Sequence, residues 1–206
     1  MYIPKHFLTT DRAEIVSFMK QYSFGTIINN KNNHPIATHL PFLVSVKDEK
    51  VILSSHFAKA NPQWEIIAEH PSLVIFSEPH AYISPQHYEK ELSVPTWNYF
   101  SVHAYGQGNI LTDEADTYKI LEATINSYEP AYKKQWDALP EDFKSKMIKG
   151  IVAFEITVDD LQAKKKLSQN RTDTEKEKII AHLSVSENQN EKDIAQYMNQ
   201  LNKPGK

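Results

Sequence analysis

FGTIINNKNNHPIATHLPFLVSVKDEKVILSS, residues 24–55, decides the fold class. Phe24 to Asn29 has strand composition. Asn30-Lys31-Asn32-Asn33-His34 follows as a turn rich in residues that tolerate left-handed geometry. Pro35 to Val46 and Lys50 to Ser55 read as two further strands, separated by the charged turn Lys47-Asp48-Glu49. Pro41 lacks a backbone donor and marks an edge or a bulge within the longer run. Three strands in meander order predict an antiparallel sheet.

Working outward, Thr10 to Glu14 opens a helix, with Asp11 and Glu14 in capping-box spacing and Ile15, Phe18, Met19 and Tyr22 on one face. Asn61-Pro62 starts a short helix whose apolar stripe is Trp64, Ile67 and Ala68, and His70-Pro71 ends it. Leu73 to Ser77 is an apolar strand, Glu78 to Thr96 an aromatic, proline-rich loop, and Trp97 to Ile110 a long strand. In that strand Phe100, Val102 and Ala104 alternate with Tyr99, Ser101, His103 and Tyr105. Helices fill Asp113 to Lys149, broken at Pro130 and Pro140. Gly150 to Val158 returns to strand, Asp159 to Arg171 is a charged stretch, and a capped helix begins near Asp173. From Ser184 the chain is polar, with a weak amphipathic pattern at Ile194, Tyr197, Met198 and Leu201. This divides the chain into a domain over 1–183 and a tail or docking helix over 184–206. About six strands with inserted helices make a mainly β, α+β chain whose natural solution is a closed or split antiparallel barrel.

Composition removes several functions. The 206 residues contain no Cys, which excludes disulfides, thiolate nucleophiles and Cys-ligated clusters. That absence agrees with a reducing cytoplasm. The five glycines are too scattered for a dinucleotide fingerprint or a P-loop. No Gly-x-Ser-x-Gly elbow occurs, and the nine histidines show no metal-ligand spacing, so no metal is expected. The net charge of −3 advertises no nucleic-acid coat. No apolar run is long enough to span a bilayer or to form a signal peptide, and the reading is a soluble protein without membrane partners.

Three stretches carry candidate chemistry. In SSHFAKANPQW, Ser54 to Trp64, hydroxyls end a strand, Lys59 supplies a cation and Asn61 caps a helix. Together they make an anion site without a glycine-rich loop. An ordinary strand-to-helix connection with a solvated lysine would read the same. KKKLSQNR, Lys164 to Arg171, offers donors for phosphate or for the edge of a flat ring, or else a solvated basic turn. VPTWNYFSVHAYG, Val94 to Gly106, sets Trp97 and Asn98 where a strand begins and a planar ligand would pack, although a Trp is more often core.

The opening MYIPKHF, then ATHLPF, AKANPQW, PHAYISP, VPTWNY, GIVAFEI and KLSQNR, in order from Met1 to about Leu183, resemble the PaiB family of FMN-binding negative transcriptional regulators. One departure is Ala163, where relatives usually carry Gly. The resemblance implies the FMN-binding split barrel, a six-stranded antiparallel Greek-key barrel shared with pyridoxamine phosphate oxidases and flavin reductases. It also implies a homodimer with FMN at the subunit interface. By that similarity Ser54, Ser55, His56 and Lys59 would hold the FMN phosphate, with Asn61 capping the helix beside it. Thr38 and His39 would line the flavin or ribityl region, and Trp97, Asn98, Lys166, Gln169, Asn170 and Arg171 would approach the ring, from the same or the partner subunit. The implied role is repression of degradative-enzyme and sporulation genes. Lys164, Lys165, Lys166 and Arg171 make the one obvious DNA patch. A flavin oxidoreductase, with His39, His103 or Tyr105 as proton donor, and a haem-handling barrel are the alternatives.

Overall fold

The computed structural model describes residues 1–202; the end of the expected tail, 203–206, lies outside the described residues. In chain order the elements are β1 (Leu8–Thr9), α1 (Arg12–Gln21), β2 (Phe24–Lys31), β3 (His34–Pro41), β4 (Leu43–Lys47), β5 (Lys50–Ala58), β6 (Ser72–Phe76), β7 (His80–Ile83) and β8 (Thr96–Ile110). They continue as α2 (Glu114–Tyr128), α3 (Lys133–Ala138), α4 (Glu141–Ile148), β9 (Ile151–Lys166), α5 (Asp173–Ser184) and α6 (Gln189–Asn202). The residues fall into two compact units. One holds Arg12–Phe76 and His103–Leu161; the other holds Met1–Asp11, Ser77–Val102 and the chain from Gln162 onward. Strands β8 and β9 contribute residues to both.

In the first unit the antiparallel sheet follows the path β3-β2-β6-β8-β9-β5-β4. The β2–β3 hairpin turns at Asn32 and Asn33, both at positive φ (52° and 61°), as two-residue hairpins require. Asp48 and Glu49 turn β4 into β5 in the same way. The two ends of the path, β3 and β4, do not pair, so the sheet is not closed; yet they are consecutive in the chain, separated by Phe42 alone. Successive Cα atoms lie about 3.8 Å apart, so the sheet must curl until its ends meet at that residue. This is a split barrel. Phe42 is buried and sits edge-on to Phe76 and Phe154, with ring centroids at 5.7 and 6.3 Å, while Phe57 stacks on Phe154 at 4.8 Å. Gly106 lets β8 and β9 approach: a Cβ there would lie 2.1 Å from the Thr157 carbonyl oxygen.

In the second unit β7 pairs with the start of β8, from His80 opposite Tyr99 to Ile83 opposite Thr96, and β1 pairs with the end of β9. A separate core gathers Ala81, Ile83, Tyr88, Leu167, Ile179 and Leu183 around Ile194, Ala195 and Met198 of α6. Thr172 and Glu175 form a reciprocal capping box at the start of α5.

Four elements differ from expectation. Pro35 to Val46 is two strands at opposite ends of the sheet, because Pro41 cannot donate to a ladder and Phe42 turns into the core. The expected helix after Asn61 is a single 3₁₀ turn over Pro62–Glu65. The loop from Glu78 to Thr96 contains β7. The charged stretch after Val158 continues as strand to Lys166, where Ala163 is buried opposite Thr9 of β1. Among the described residues hydrogen bonding thus separates nine strands, where the sequence pattern suggests about six. No helix among the described residues is long and apolar enough to cross a membrane.

Candidate functional site

The first unit carries Thr38, His39, Ser54, Ser55, His56, Lys59 and Asn61. Strand alternation divides them. Ser55 lies opposite buried Phe154 and donates to the Pro41 carbonyl at 2.7 Å, so it faces inward. Ser54 lies opposite Glu155 and donates to its carboxylate at 3.2 Å, on the other face. Thr38 lies opposite buried Ile27, and His39 opposite Thr26, whose hydroxyl is 2.9 Å from His39 Nδ1. Adjacent strand residues cannot serve one phosphate or one ring through both side chains.

An inward polar network ties the strands together. Asn61 Nδ2 donates to Thr38 Oγ1 at 2.9 Å, and Thr38 donates to Gln63 Oε1 at 2.6 Å. Gln63 Nε2 donates to the Ile27 carbonyl and to Asn29 Oδ1 at 3.2 and 3.0 Å. Asn29 in turn donates to Ser72 Oγ at 2.9 Å. Asn61 Oδ1 accepts from the Gln63 amide at 3.0 Å, the expected cap on a shorter helix. Sequence reasoning missed Gln63 and Asn29. Gln63 stood within AKANPQW, one residue after a Pro at the first position of a turn, where its backbone amide was due a cap; nothing local marked its side chain as buried.

The exit of β5 presents a cation. The Lys59 amide donates to the Gly150 carbonyl at 2.8 Å, and the Lys59 carbonyl accepts from Trp64 Nε1 at 3.0 Å. Its backbone is held on both sides while its exposed ammonium forms no ion pair among the described residues. His56, half-buried on β5, has its pKa lowered by burial. An exposed ammonium on an anchored backbone, an imidazole nitrogen and an Asn-capped turn are donors suited to a phosphate. On the outer face of β2–β3, exposed Phe24 lies nearly parallel to His39, with centroids 6.5 Å apart. His103 is also held at a lowered pKa by burial, and its buried Nδ1 has no hydrogen-bond partner among the described residues. Tyr105 lies edge-on to it at 6.4 Å.

The second unit carries Trp97, Asn98, Lys166, Gln169, Asn170 and Arg171. Trp97 is half exposed and meets Tyr82 edge-on at 5.9 Å. Asn98 is fully buried: its amide exchanges hydrogen bonds with Ser168 Oγ at 3.0 and 3.1 Å and reaches Met198 Sδ at 3.5 Å. Gln169 is occupied by backbone, accepting from the Leu167 amide at 2.7 Å and donating to the Lys165 carbonyl. Asn170 is exposed. Arg171 lies over the Tyr88 ring at 3.7 Å.

The basic run is a set of strand residues with partners inside the fold. Lys164 lies over the rings of Tyr2 and Tyr99 at 5.8 and 5.3 Å, and Lys165 over Phe100 at 5.9 Å. Lys166 donates to Thr96 Oγ1, and burial, reinforced by Lys164 and Arg171, lowers its pKa. Long ammonium side chains that cover aromatic surface keep less charge free for a phosphate backbone. Among the described residues no three His, Asp or Glu side chains are grouped to hold a metal ion.

Comparison with known proteins places this geometry. Residues 1–160 match the family described as “Putative FMN-binding domain”. The chain is 42% identical over 201 residues to protease synthase and sporulation protein PAI 2 of Bacillus subtilis, covering 96% of each chain. Among solved structures it resembles the FAD and heme binding protein from Mycobacterium smegmatis, with a TM-score of 0.64 at 19% identity over 84% of this chain and 79% of that one. It also resembles the flavocytochrome Anf3 from Azotobacter vinelandii, with a TM-score of 0.65 at 12% identity over 80% and 72%. The two structures support the split-barrel fold, and the match over nearly the whole length of both sequences shows that this chain belongs to the PaiB family of FMN-binding-domain proteins.

Proposed function

We propose that this chain is an FMN-binding negative regulator of degradative-enzyme and sporulation genes, acting in the cytoplasm as a homodimer with flavin at the subunit interface. The observation that carries the flavin site is the exposed Lys59 ammonium, without a carboxylate partner among the described residues, on a backbone anchored to Gly150 and Trp64. The donor set fits FMN. Lys59 and His56 would hold the phosphate, and Asn61 and Thr38 keep the turn in place. His39, steadied by Thr26 and lying beside Phe24, would line the ring on the outer face. Trp97 remains available to a flat ring, whereas Asn98 and Gln169 are occupied within the fold. FMN, when bound, supplies reversible electron-transfer chemistry.

The regulatory half of the reading rests on the name and the identity of the Bacillus relative. Regulation is assigned to the FMN-bound dimer and not to Lys164–Lys166 and Arg171 as a DNA patch, because each of those cations has a partner within the fold.

The test is an FMN titration followed by flavin fluorescence. Lys59→Ala should weaken affinity by about 1–3 kcal/mol, the value of a charge-assisted bond. Unchanged affinity removes the phosphate assignment. Deleting the gene should raise transcripts of degradative-enzyme and sporulation genes, and restoring the wild-type chain should lower them again. Unaltered transcripts would end the regulatory reading.

A further inference from the structure

A second cleft in the first unit lies apart from the Lys59 exit. It has a volume of about 610 Å³, within the range that holds small organic ligands, and is bounded by α2 on one side and by β4, β5 and β9 on the other. Leu43, Leu111 and Ile120 give it apolar walls, and Ser54 with Glu155 forms part of its floor. The charges around it are not equivalent. Lys119 is paired with Asp116 at 2.8 Å, so the two cancel. Lys20 is exposed. Glu155 is half-buried, forms no ion pair among the described residues, and receives one hydrogen bond, the 3.2 Å contact from Ser54. A carboxylate has about four acceptor sites, and a partly desolvated one without a counter-ion is costly.

We propose that this cleft binds a small amphipathic amine, its ammonium on Glu155 and its apolar body between α2 and the β4–β5 face. An ammonium supplies up to three donors and a positive charge for Glu155, while Leu43, Leu111 and Ile120 offer contact to the apolar body. An acid of the same shape would meet Glu155 with like charge. The proposal does not rest on the flavin reading: the cleft is lined by neither Lys59 nor His56. Ser54, which the family resemblance places at the FMN phosphate, is turned instead to the carboxylate that holds the amine.

The test is calorimetric titration of the full chain, loaded with FMN and without it, using 2-phenylethylamine, and 3-phenylpropionate as the acid of similar shape. The amine should bind and the acid should not. Glu155→Gln should weaken the amine at least ten-fold. Ala123→Phe, at an exposed α2 position that lines the cleft, should fill it and abolish binding without disturbing the core. Circular dichroism and urea unfolding of both variants establish that they are folded. The proposal is overturned if the amine does not bind, if the acid binds as well, or if folded Glu155→Gln keeps full affinity. Competition between FMN and the amine would also overturn it, since the cleft would then be the flavin site.

Discussion

Replacing Gln63 by Leu tests whether the inward network holds the phosphate-binding turn. The residue is 2% exposed and its side chain bonds three groups: Thr38 Oγ1, Asn29 Oδ1 and the Ile27 carbonyl. Thr38 would keep its bond from Asn61, and Asn29 would keep its bonds through Nδ2. Asn29 Oδ1 would be stranded in a residue that is 3% exposed. One stranded buried acceptor costs about 1–3 kcal/mol, and the lost Thr38 bond adds about 1. Leu has similar volume, so the cavity contribution is small. The expected loss is about 2–4 kcal/mol, which at a urea slope of about 2 kcal/mol/M moves the unfolding midpoint by about 1–2 M. Tryptophan fluorescence in urea measures it. Adding Asn29→Leu removes the stranded oxygen, so the double variant should lose less than the sum of the singles by about 1 kcal/mol. A single-variant loss under about 0.5 kcal/mol, or strict additivity, would refute the reasoning.

Gly106→Ala should force β8 from β9, because its new methyl would sit 2.1 Å from the Thr157 oxygen and 2.9 Å from Ile156 Cγ2. A loss of about 3 kcal/mol or more in thermal unfolding is expected, and a neutral result would contradict the contact. Asn98→Leu strips Ser168 and Met198 of their amide partner and should speed amide hydrogen exchange in α6; unchanged exchange there would show that the amide does not anchor the helix. His56, His87 and His103 all have folded pKa values below 6.5, with burial the largest cause in each. Below pH 6.5 the unfolded chain therefore takes up protons that the folded one refuses. Their contribution is full above that pH and is lost as pH falls toward the folded values. Urea midpoints should drop between pH 7.5 and pH 5.5, less so in His56→Gln; a midpoint that rises on acidification would reverse the sign.

Strand composition and turn chemistry were legible wherever they were local. Asn32-Asn33, Asp48-Glu49 and the alternation of Phe100, Val102 and Ala104 appear where the pattern places them. The second half of β9 was not, because charged residues have poor strand propensity. What overrides it is pairing with β1 and the cover that the lysine stems give to aromatic rings. The break at Phe42 was signalled by Pro41 as an edge or bulge, but which strands lay on either side depends on pairings distant in sequence. For the candidate site, sequence supplied Lys59 and Asn61 through the cap and the cation. The family resemblance grouped Ser54 with Ser55, and Thr38 with His39, while the pleat sends each pair to opposite faces. Gln63 escaped notice because its partners on β2 and β3 come from 36 to 25 residues away.

The strand path also sets an order of assembly during synthesis. A ribosome releases β2, β3 and β6 as one three-stranded fragment, and β4 with β5 as another, before β8 or β9 exists. Phe42 tethers the fragments at their outer strands, so the two inner edges, β6 and β5, stay unpaired until β8 and β9 arrive to fill the gap between them. Between β8 and β9 the nascent chain must also emit α2, α3 and α4. An unpaired strand edge templates pairing with other chains, and closing contacts across long sequence separations is slow. The interval between emergence of β6 and of β9 is therefore the period in which this chain most needs a chaperone, and slowing translation across 111–150 should increase its aggregation while leaving the stability of the finished fold unchanged.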